Sequence, residues 1–318
     1  MFAITNPSES AINSAAKALI GGALVGIPTE TVYGLAADAE NEAAVARIYS
    51  VKGRPQDHPV IVHVGSLEYL TKWAINVPGY AMKLAREYWP GPMTLILERS
   101  KLAKDFITGG QDTVGLRVPD HAATLALLIE FHKLGGNGIA APSANRFGAV
   151  SPTNAEAVQS ELGKFLDASQ DLIIDGGQSS VGVESAIIDC TEDFPIILRP
   201  GAISIEMIFG TTGLISKPNI DSKIRVSGSL EQHYSPKAKI LLKGKVGPGD
   251  GFIALDHFVT PEGAVRLASP TTLEEYARIL YATFREADKR GINRIVVIPP
   301  EGDGIAIAIR DRLTRAAR

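Results

Sequence analysis

Apolar positions recur in two spacings along the first two hundred residues. The first predicted helix begins near Ser8, carries apolar residues at helical spacing and ends at Gly21-Gly22, and Asn41 can cap another helix. Helical patterns also cover 122–132 and 154–162. Strands mixed with helices, some joined by short turns, predict an α/β layer with a mixed sheet. Short apolar runs without helical spacing predict its strands, at 23–27, 60–64, 93–97, 113–118, 138–141, 172–174, 185–188 and 195–198.

The pattern weakens over 211–237, a stretch of Ser, Gly, Pro and scattered charge that is long for a passive linker. Beyond residue 237, predicted strands and helices again follow one another. The sequence therefore predicts a first domain over 1–210, a linker over 211–237, and a small βαβ-type domain over 238–318. The second domain is predicted to hold strands at 240–242, 252–255 and 294–298, and helices at 273–284 and 304–318.

The charge balance limits the classes of partner. The 318 residues carry a net charge of −3 and are 45% hydrophobic. This balance argues against a broad basic surface for nucleic acid but allows a local cationic pocket. No apolar stretch approaches the ~18 residues that a membrane span requires. The first ten residues contain no basic residue and no signal-peptide pattern, so the expected compartment is the cytoplasm.

The chain contains one cysteine, Cys190. A disulfide within the chain and a cysteine-based metal cluster are therefore excluded. Cys190 follows an apolar run, which favours a buried strand thiol over a nucleophile.

Common nucleotide-binding signatures are missing: the chain has neither a P-loop nor a Gly-rich dinucleotide fingerprint after its first strand. Lys52-Gly53-Arg54 is the first local candidate for chemistry. A Gly between two cations allows a tight turn, and a Lys with an Arg suits a polyphosphate. A solvated helix end, where cations complement the helix dipole, is the competing interpretation.

Two loops are further candidates because each directly follows a predicted strand. Pro142-Ser143-Ala144-Asn145 offers neutral donors and acceptors, and 29–34 offers the hydroxyl of Thr31 and the carboxylate of Glu30. Ligands of open α/β sheets gather beyond the carboxyl ends of strands. Ordinary turns, one of them leading into a helix, would explain the same residues.

Arg117 and Arg199 each end a mostly apolar strand. A charge in that position needs a partner or a ligand, and a structural salt bridge remains the alternative. Together with Lys52 and Arg54 they provide four cations near strand ends, which could hold an anionic substrate.

The histidines do not indicate a metal site. His58 and His63 are five residues apart with no third ligand nearby, so a substrate contact or a satisfied core histidine is expected. His233-Tyr234-Ser235-Pro236 lies inside the linker and suggests that the linker folds over something. A simple anchor onto the first domain is the alternative.

The ordered combination of these motifs closely resembles the YrdC/Sua5 family. Residues 10–210 carry the resemblance to its catalytic domain, and the linker motif with the following domain resembles the longer, Sua5-type members. The motifs that carry the resemblance are 28–35, Lys52-x-Arg54-Pro55, Trp89-Pro90-Gly91-Pro92-Met93-Thr94, Pro142-Ser143-Ala144-Asn145, Gly182-Val183-Glu184-Ser185 and Leu198-Arg199-Pro200-Gly201.

The resemblance implies a YrdC-like twisted mixed-sheet catalytic domain with a concave, positively charged cavity, followed by a small Rossmann-like βαβ domain. It implies an enzyme that makes L-threonylcarbamoyladenylate from L-threonine, bicarbonate and ATP and releases pyrophosphate. The product would pass to the transferase that modifies adenosine 37 of tRNA. We expect a monomer, no stable tRNA binding and no membrane association.

Site residues follow from the same resemblance. The family's Lys-x-Arg and Ser-x-Asn signatures, placed as catalytic, are here Lys52, Arg54, Ser143 and Asn145. L-threonine would contact Thr31, His63, Arg117, Ser185 and the backbone near Ala141. ATP would contact Arg54, His58, Thr113, Ser143, Ser151, Arg199 and Tyr234. His58 stands where some relatives have Asn. No side chain is expected to bind metal, and Mg²⁺ would arrive with ATP.

The expected chemistry is chiefly a matter of positioning. Threonine's amine captures bicarbonate or CO₂ as a carbamate, which attacks the α-phosphorus of ATP, so cations matter more than a nucleophilic side chain. No nucleophile elbow is present in the sequence. We expect Arg117 to pair with the threonine carboxylate, Lys52 and Arg54 to stabilise the phosphates, and His233 with Tyr234 to form a lid that shields the carbamate.

Two other functions remain open. YrdC-like modules also occur in hydrogenase-maturation carbamoyltransferases, but this chain lacks the zinc-finger and acylphosphatase segments expected there. A double-stranded RNA-binding module is the second alternative, against which the acidic balance weighs.

Overall fold

The computed structural model describes residues 4–218, 224–228 and 234–318. His233, one of the two predicted lid residues, lies outside the described residues. The strands of this part are β1 Ile4–Thr5, β2 Val25–Ile27, β3 Gly34–Asp38, β4 Ile61–His63, β5 Met93–Glu98, β6 Thr113–Arg117, β7 Ile139–Ala140, β8 Leu172–Ile174, β9 Ala186–Asp189, β10 Ile196–Arg199, β11 Lys217–Pro218, β12 Lys239–Leu241, β13 Gly251–Ile253, β14 Val265–Ala268 and β15 Arg294–Val297. The helices are α1 Glu9–Ile20, α2 Glu42–Lys52, α3 Leu70–Trp73, α4 Gly79–Tyr88, α5 Asp105–Thr108, α6 Ala122–Lys133, α7 Ala155–Leu162, α8 Ile205–Thr212, α9 Leu273–Lys289 and α10 Ile305–Ala316, with a 3₁₀ turn at Leu67–Tyr69.

Capping residues set the ends of the first two helices. The hydroxyl of Ser8 accepts from the backbone N–H of Ala11, and the side-chain oxygen of Asn41 accepts from Ala44, so both predicted N-termini are confirmed. Helix α2 ends at Gly53 in the left-handed conformation, with φ of 61°. A Cβ there would lie 2.6 Å from Nη2 of Arg146. The left-handed conformation therefore favours Gly at this position, whereas the end of the Arg146 side chain could shift to make room for a Cβ.

The first sheet is mixed, as the sequence predicts. Its strand order is β1-β8-β2-β3-β7-β4-β6-β5-β9-β10-β11. Parallel pairs such as β4 with β6 stand beside antiparallel pairs such as β5 with β6. Strand β11 pairs with β10 and so extends this sheet into the predicted linker, 211–237.

Two hydrophobic cores cover the two faces of this sheet. Leu35 belongs to the core that α2, α4 and α7 help to form, whereas its neighbour Ala36 belongs to the core that α1 and α6 cover. Ile173 and Ile174 of β8 divide in the same way. Because successive strand side chains point to opposite faces, this alternation shows a sheet buried on both sides.

Strand β3 is absent from the sequence-based prediction. It lies between β2 and β7 in the middle of the sheet and its residues, except half-buried Asp38, are buried. Its sequence, Gly-Leu-Ala-Ala-Asp, is poor in the β-branched and aromatic residues typical of strands. Pairing on both sides outweighs this weak local preference.

The second domain has a smaller sheet, in the order β12-β15-β13-β14, in which every pair is parallel. Helix α9 begins after Thr272, whose hydroxyl caps Glu275, and it packs against α10. This arrangement confirms the predicted βαβ-type fold and adds β14, a strand that is not predicted from the sequence.

Cys190 is a buried free thiol immediately after β9, as predicted, and burial raises its pKa. In the part of the chain that the structure describes, no helix is long and apolar enough to cross a membrane.

Candidate active site

A cavity lies over the first sheet, on the side to which Ile61 and His63 of β4 point. It encloses about 50 Å³. Nine of the predicted site residues line it together: Thr31, Arg54, His63, Arg117, Ala141, Ser143, Ser185, Arg199 and Tyr234. The structure therefore gathers most of the predicted set from eight separate chain segments into one place.

Strand direction explains only part of this convergence. β4, β6 and β10 run in one direction and end at His63, Arg117 and Arg199. β7, which leads to Ala141 and Ser143, is antiparallel to β4. The expectation that ligand-binding residues gather beyond carboxyl ends thus holds for one group of strands only, and the cavity lies over a face of the sheet.

Five predicted site residues do not line this cavity: Lys52, His58, Thr113, Asn145 and Ser151. Thr113 borders a small neighbouring cavity that shares Ile61 and Ser227 with it. His58 is half-buried, with its ring edge-on to Phe147, and burial followed by the charge of Arg54 lowers its pKa.

Lys52 organises the Ser143 loop from behind the cavity. Its ammonium is buried and donates to the carbonyl oxygens of Ser143 at 2.5 Å and Asn145 at 2.6 Å. Burial, and next the charge of Arg54, lower its pKa. Its predicted contact with phosphate stays a prediction, since in this conformation the ammonium binds backbone carbonyls.

Asn145 completes the same loop. Its side-chain amide donates to the carbonyl oxygens of Arg146 at 2.7 Å and Ala149 at 2.9 Å. Ser143 itself pairs with Gly34 at the start of β3. The Lys-x-Arg and Ser-x-Asn signatures are therefore joined through backbone contacts, and only Arg54 and Ser143 reach the cavity wall.

Arg117 has a protein partner in the cavity wall. Its Nη2 lies 2.7 Å from Oε1 of Glu30 and donates to the hydroxyl of Thr31 at 2.8 Å, and both charged side chains are buried. Its Nε donates to the carbonyl oxygen of Gly91. The salt bridge that the sequence analysis keeps as an alternative is thus present, and Arg117 also faces the cavity.

His63 is a buried polar group beside Arg117, its cross-strand partner. Burial, and next the Arg117 charge, lower its pKa to about 3, so the ring is neutral near pH 7. Among the described residues, Nδ1 has no hydrogen-bond partner. The ring therefore offers a polar atom at the cavity wall.

Arg199 is tied to the loop that precedes β9. Its Nε donates to the carbonyl oxygen of Ser185 at 3.0 Å and its Nη2 to the Ser185 hydroxyl at 3.2 Å. That hydroxyl lies 2.8 Å from the hydroxyl of Thr94. Nη1 donates to the carbonyl oxygen of Ser227, so the guanidinium joins the first domain to the linker.

Arg54 makes the second contact with the linker. Its Nη2 donates to the carbonyl oxygen of Pro59 at 2.7 Å and to the hydroxyl of Ser227 at 3.2 Å. Its guanidinium is buried and lies 5.9 Å from the centre of the Phe147 ring. Among the described residues, Nε has no acceptor.

Tyr234 closes the cavity from the linker side. It is buried, with φ of 63°, and its ring stacks on Tyr281 of α9 at 5.7 Å between centroids. Ser227 and Gly228 line the same cavity. This is the placement expected of a linker that folds over a site.

Glu184 is a cavity residue for which the sequence predicts no role. It lines the cavity beside Ser185, and its Oε1 accepts from Ser151 at 2.6 Å. Burial opposes its ionisation, but the charges of Arg312 and Arg199 lower its pKa to about 2. Its only sequence signal is its position in the Gly-Val-Glu-Ser motif, because Arg312 lies 128 residues further along the chain.

The described residues contain no group of three or more His, Cys, Asp or Glu that could hold a metal ion. The two carboxylates nearest the cavity are already engaged, Glu30 by Arg117 and Glu184 by Arg312. The described side chains of the cavity therefore do not fit a resident divalent ion.

Comparison with known proteins gives the family. Residues 17–201 match the family model described as "Telomere recombination", which covers Sua5, YciO and YrdC, and residues 203–318 match that of the "Threonylcarbamoyl-AMP synthase, C-terminal domain". The chain belongs to the YrdC/Sua5 family. The resemblance drawn from the motifs is thereby confirmed.

Relatives of the Sua5 type match along nearly the whole length. Threonylcarbamoyl-AMP synthase of Pyrococcus abyssi is 38% identical to this protein, over 97% of this chain and 94% of the relative. Threonylcarbamoyl-AMP synthase of Bacillus subtilis is 34% identical, over 98% of this chain and 94% of the relative. The crystal structure of Pyrococcus abyssi Sua5 complexed with L-threonine is similar with a TM-score of 0.86 at 35% identity, covering 98% of this chain and 95% of that one. The predicted fold class, a YrdC-like domain followed by a Sua5-type second domain, is confirmed.

Proposed function

We propose that this protein synthesises threonylcarbamoyl-AMP from L-threonine, bicarbonate and ATP, with release of pyrophosphate. One observation carries the proposal: Arg54, Arg117 and Arg199, all buried, line a single cavity in a chain of net charge −3. Buried cations converging on one space suit a substrate that carries several negative charges. The full-length likeness to threonylcarbamoyl-AMP synthases supports the same reaction.

L-threonine is proposed to bind at the side of the cavity that holds Arg117. Nε and Nη2 of Arg117 are engaged by protein atoms, whereas Nη1 has no acceptor among the described residues and can take the threonine carboxylate. Neutral His63, with the hydroxyls of Thr31 and Ser185 and the backbone at Ala141, supplies the remaining polar contacts. The relative solved with L-threonine supports this substrate.

ATP is proposed to bind at the side that holds Arg54, Ser143, Arg199 and Tyr234. A cavity of about 50 Å³ is far below the ~300 Å³ at which ligand pockets begin. ATP therefore needs the linker residues that line the cavity, including Tyr234, to move outward. This supports the lid role predicted for Tyr234, which would close again over the bound nucleotide.

The chemistry follows from this placement. Bicarbonate loses hydroxide to give CO₂, and the neutral threonine amine adds to the carbon of CO₂ and gives up a proton, so that a carbamate and water result. A carbamate oxygen then attacks the α-phosphorus, and pyrophosphate leaves with the electron pair of the broken P–O bond. Arg54 and Arg199 stabilise the charge that develops on the phosphate oxygens. Mg²⁺ enters as part of the MgATP substrate, bound through phosphate oxygens.

The product is a mixed anhydride, which water hydrolyses readily, so it must be consumed soon after release. We propose that it passes to the transferase that carries the threonylcarbamoyl group to adenosine 37 of tRNA, in the cytoplasm where that tRNA is found. A monomeric state and the lack of stable tRNA binding stay predictions.

Pyrophosphate release by the full chain tests the proposal. The protein is given MgATP, and L-threonine and bicarbonate are omitted in turn. Release that requires both substrates is expected. Release without threonine would contradict the proposed substrate, and salt-dependent RNA binding without any nucleotide turnover would favour an RNA-binding module.

A further inference from the structure

The second domain reaches the cavity wall through two side chains. Arg312 of α10 is fully buried, and its Nε donates to Oε2 of Glu184 at 2.7 Å. Tyr281 of α9 donates its hydroxyl to the same oxygen at 2.9 Å. With Ser151 on Oε1, both carboxylate oxygens of Glu184 are bound, and two of the three donors approach from the second domain. The position of a cavity residue is therefore set across the domain boundary.

The same two side chains also hold Tyr234. The guanidinium of Arg312 lies 5.3 Å from the centre of the Tyr234 ring, and the Tyr281 ring stacks against it. The two contacts fix the plane of an aromatic ring that lines the cavity. Arg312 and Tyr281 thus act on two cavity residues that come from different segments of the chain.

Domain adhesion alone does not require this arrangement. Val32, Val150 and Val183 of the first domain already share a hydrophobic core with α9 and α10. A buried ion pair costs desolvation energy that apolar packing would avoid. The ion pair between Arg312 and Glu184 therefore adds orientation to an interface that apolar contacts already hold together.

Helix α9 packs closely against the loop that carries Glu184, because that loop has a glycine at the point of contact. Gly182, two residues before Glu184, has φ of 82°, and a Cβ there would lie 2.3 Å from Cα of Arg278. The absence of a side chain at Gly182 lets the helix approach the loop that carries Glu184. The hydroxyl of Tyr281, less than one helical turn further along, then reaches the carboxylate.

We propose that Arg312 and Tyr281 are positioning residues for the nucleotide side of the cavity, so that the second domain completes the ATP site through Glu184 and Tyr234. Arg199, on the other side of Glu184, is tied to the adjacent Ser185. The inference rests on the proposed function, since it concerns the same site. It gives the second domain a part in nucleotide binding and leaves the threonine side to the first domain.

The test compares substitutions within the full-length protein. Arg312→Met removes the positive charge and the planar guanidinium, whereas Arg312→Lys keeps the charge. Tyr281→Phe removes the hydroxyl that binds Glu184 and keeps the ring that stacks on Tyr234. Glu161→Gln is the matched control, because it weakens another ion pair across the same interface, with Arg285 at 3.2 Å, outside the cavity. KM for ATP, KM for L-threonine and kcat are measured from pyrophosphate release, with thermal unfolding alongside.

Arg312→Met is expected to raise KM for ATP about tenfold or more, with KM for L-threonine within about twofold of wild type, since it removes a charged hydrogen bond. Arg312→Lys should recover part of the loss, and Tyr281→Phe should shift KM for ATP by a few fold in the same direction. Glu161→Gln should leave both constants unchanged.

The inference is overturned if Arg312→Met and Glu161→Gln lower thermal stability alike and neither changes KM for ATP. If Arg312→Met does not fold, Tyr281→Phe decides, because an unchanged KM for ATP in that variant also overturns it. Failure of the proposed function is a separate result, since then wild-type protein would release no pyrophosphate that depends on threonine and bicarbonate.

Discussion

The two sides of the cavity are built in different ways. On the side of Arg117, one domain supplies the carboxylate partner Glu30, the Thr31 hydroxyl and the neighbouring His63. On the side of Arg199, the linker supplies Ser227 and Tyr234. The second domain contributes Arg312 to that side through Glu184.

Each side contains a buried Glu–Arg pair at 2.7 Å, but the pairs differ in origin. Glu30 and Arg117 belong to the same domain, whereas Glu184 and Arg312 belong to different domains. A pair within one domain can be preorganised without the rest of the chain. If the proposed assignment of the two sides is right, the threonine side is built within one domain, whereas the nucleotide side depends on contacts between two domains.

The largest effect is expected from Arg54→Ala, which removes a cation from the nucleotide side. Turnover should fall by about 10³-fold, the upper end for the loss of one donor to developing charge. Pyrophosphate release at saturating substrates measures it. Arg47→Ala is the control, because Arg47 lies in the helix that precedes Arg54 and pairs with Asp171 away from the cavity. Wild-type kinetics in Arg54→Ala would remove Arg54 from the mechanism.

Arg117→Lys tests the threonine side. Lysine keeps a positive charge opposite Glu30 but loses the planar fork, so KM for L-threonine should rise about 100-fold while KM for ATP changes little. Threonine titrations of pyrophosphate release show the split, and Arg47→Lys is the matched control. A larger rise in KM for ATP than for threonine would reverse the assignment of the two sides.

Tyr234→Ala tests the lid. ATP binding should weaken about tenfold, since an aromatic contact to a base contributes roughly 1–3 kcal/mol, and Tyr234→Phe should retain most of it. Calorimetry gives the affinity. The ratio of pyrophosphate released to adenylate recovered measures the coupling. It should rise in Tyr234→Ala, because water that enters the open site attacks the α-phosphorus of ATP or hydrolyses the adenylate already formed. Unchanged affinity and coupling in Tyr234→Ala would contradict the lid.

The last prediction concerns folding stability rather than turnover, because His63 should make the free energy of unfolding depend on pH. Burial, and next the Arg117 charge, lower its folded pKa to about 3 from 6.5, so the unfolded chain binds a proton that the folded one does not. The free energy of unfolding should therefore decrease as pH falls below about 6.5, by up to ~1.4 kcal/mol per pH unit until the pH approaches 3. Denaturant titrations of wild type and His63→Gln measure it. An equal slope in both proteins would show that His63 is not the source.

The sequence predicts this molecule well where local chemistry decides the outcome. Ser8 and Asn41 cap helices because their side chains satisfy nearby N–H groups, and β6 and β10 end at Arg117 and Arg199 as predicted. The motifs also identify most of the residues that line the cavity. Helix caps and strand ends depend on neighbours within a few positions, whereas the cavity residues are identified through the motifs that the chain shares with its family.

The sequence is less informative where contacts between residues far apart in the chain determine a strand or the role of a side chain. Strand β3 is stabilised by pairing with strands on both sides, and its Ala-rich sequence gives little signal. The sequence predicts that Lys52 binds phosphate, but its buried ammonium donates hydrogen bonds to two backbone carbonyl oxygens. The role of Arg312 depends on a partner 128 residues away, which spacing within a helix cannot show.

Incorporation of labelled bicarbonate tests the central claim most directly. Wild-type protein is incubated with MgATP, L-threonine and carbon-13 bicarbonate, and the adenylate is analysed by mass spectrometry. A threonine-containing adenylate that carries one carbon-13 is the predicted result. An adenylate that contains threonine but no label would mean that threonine is activated directly on its carboxylate, and would contradict the carbamate route.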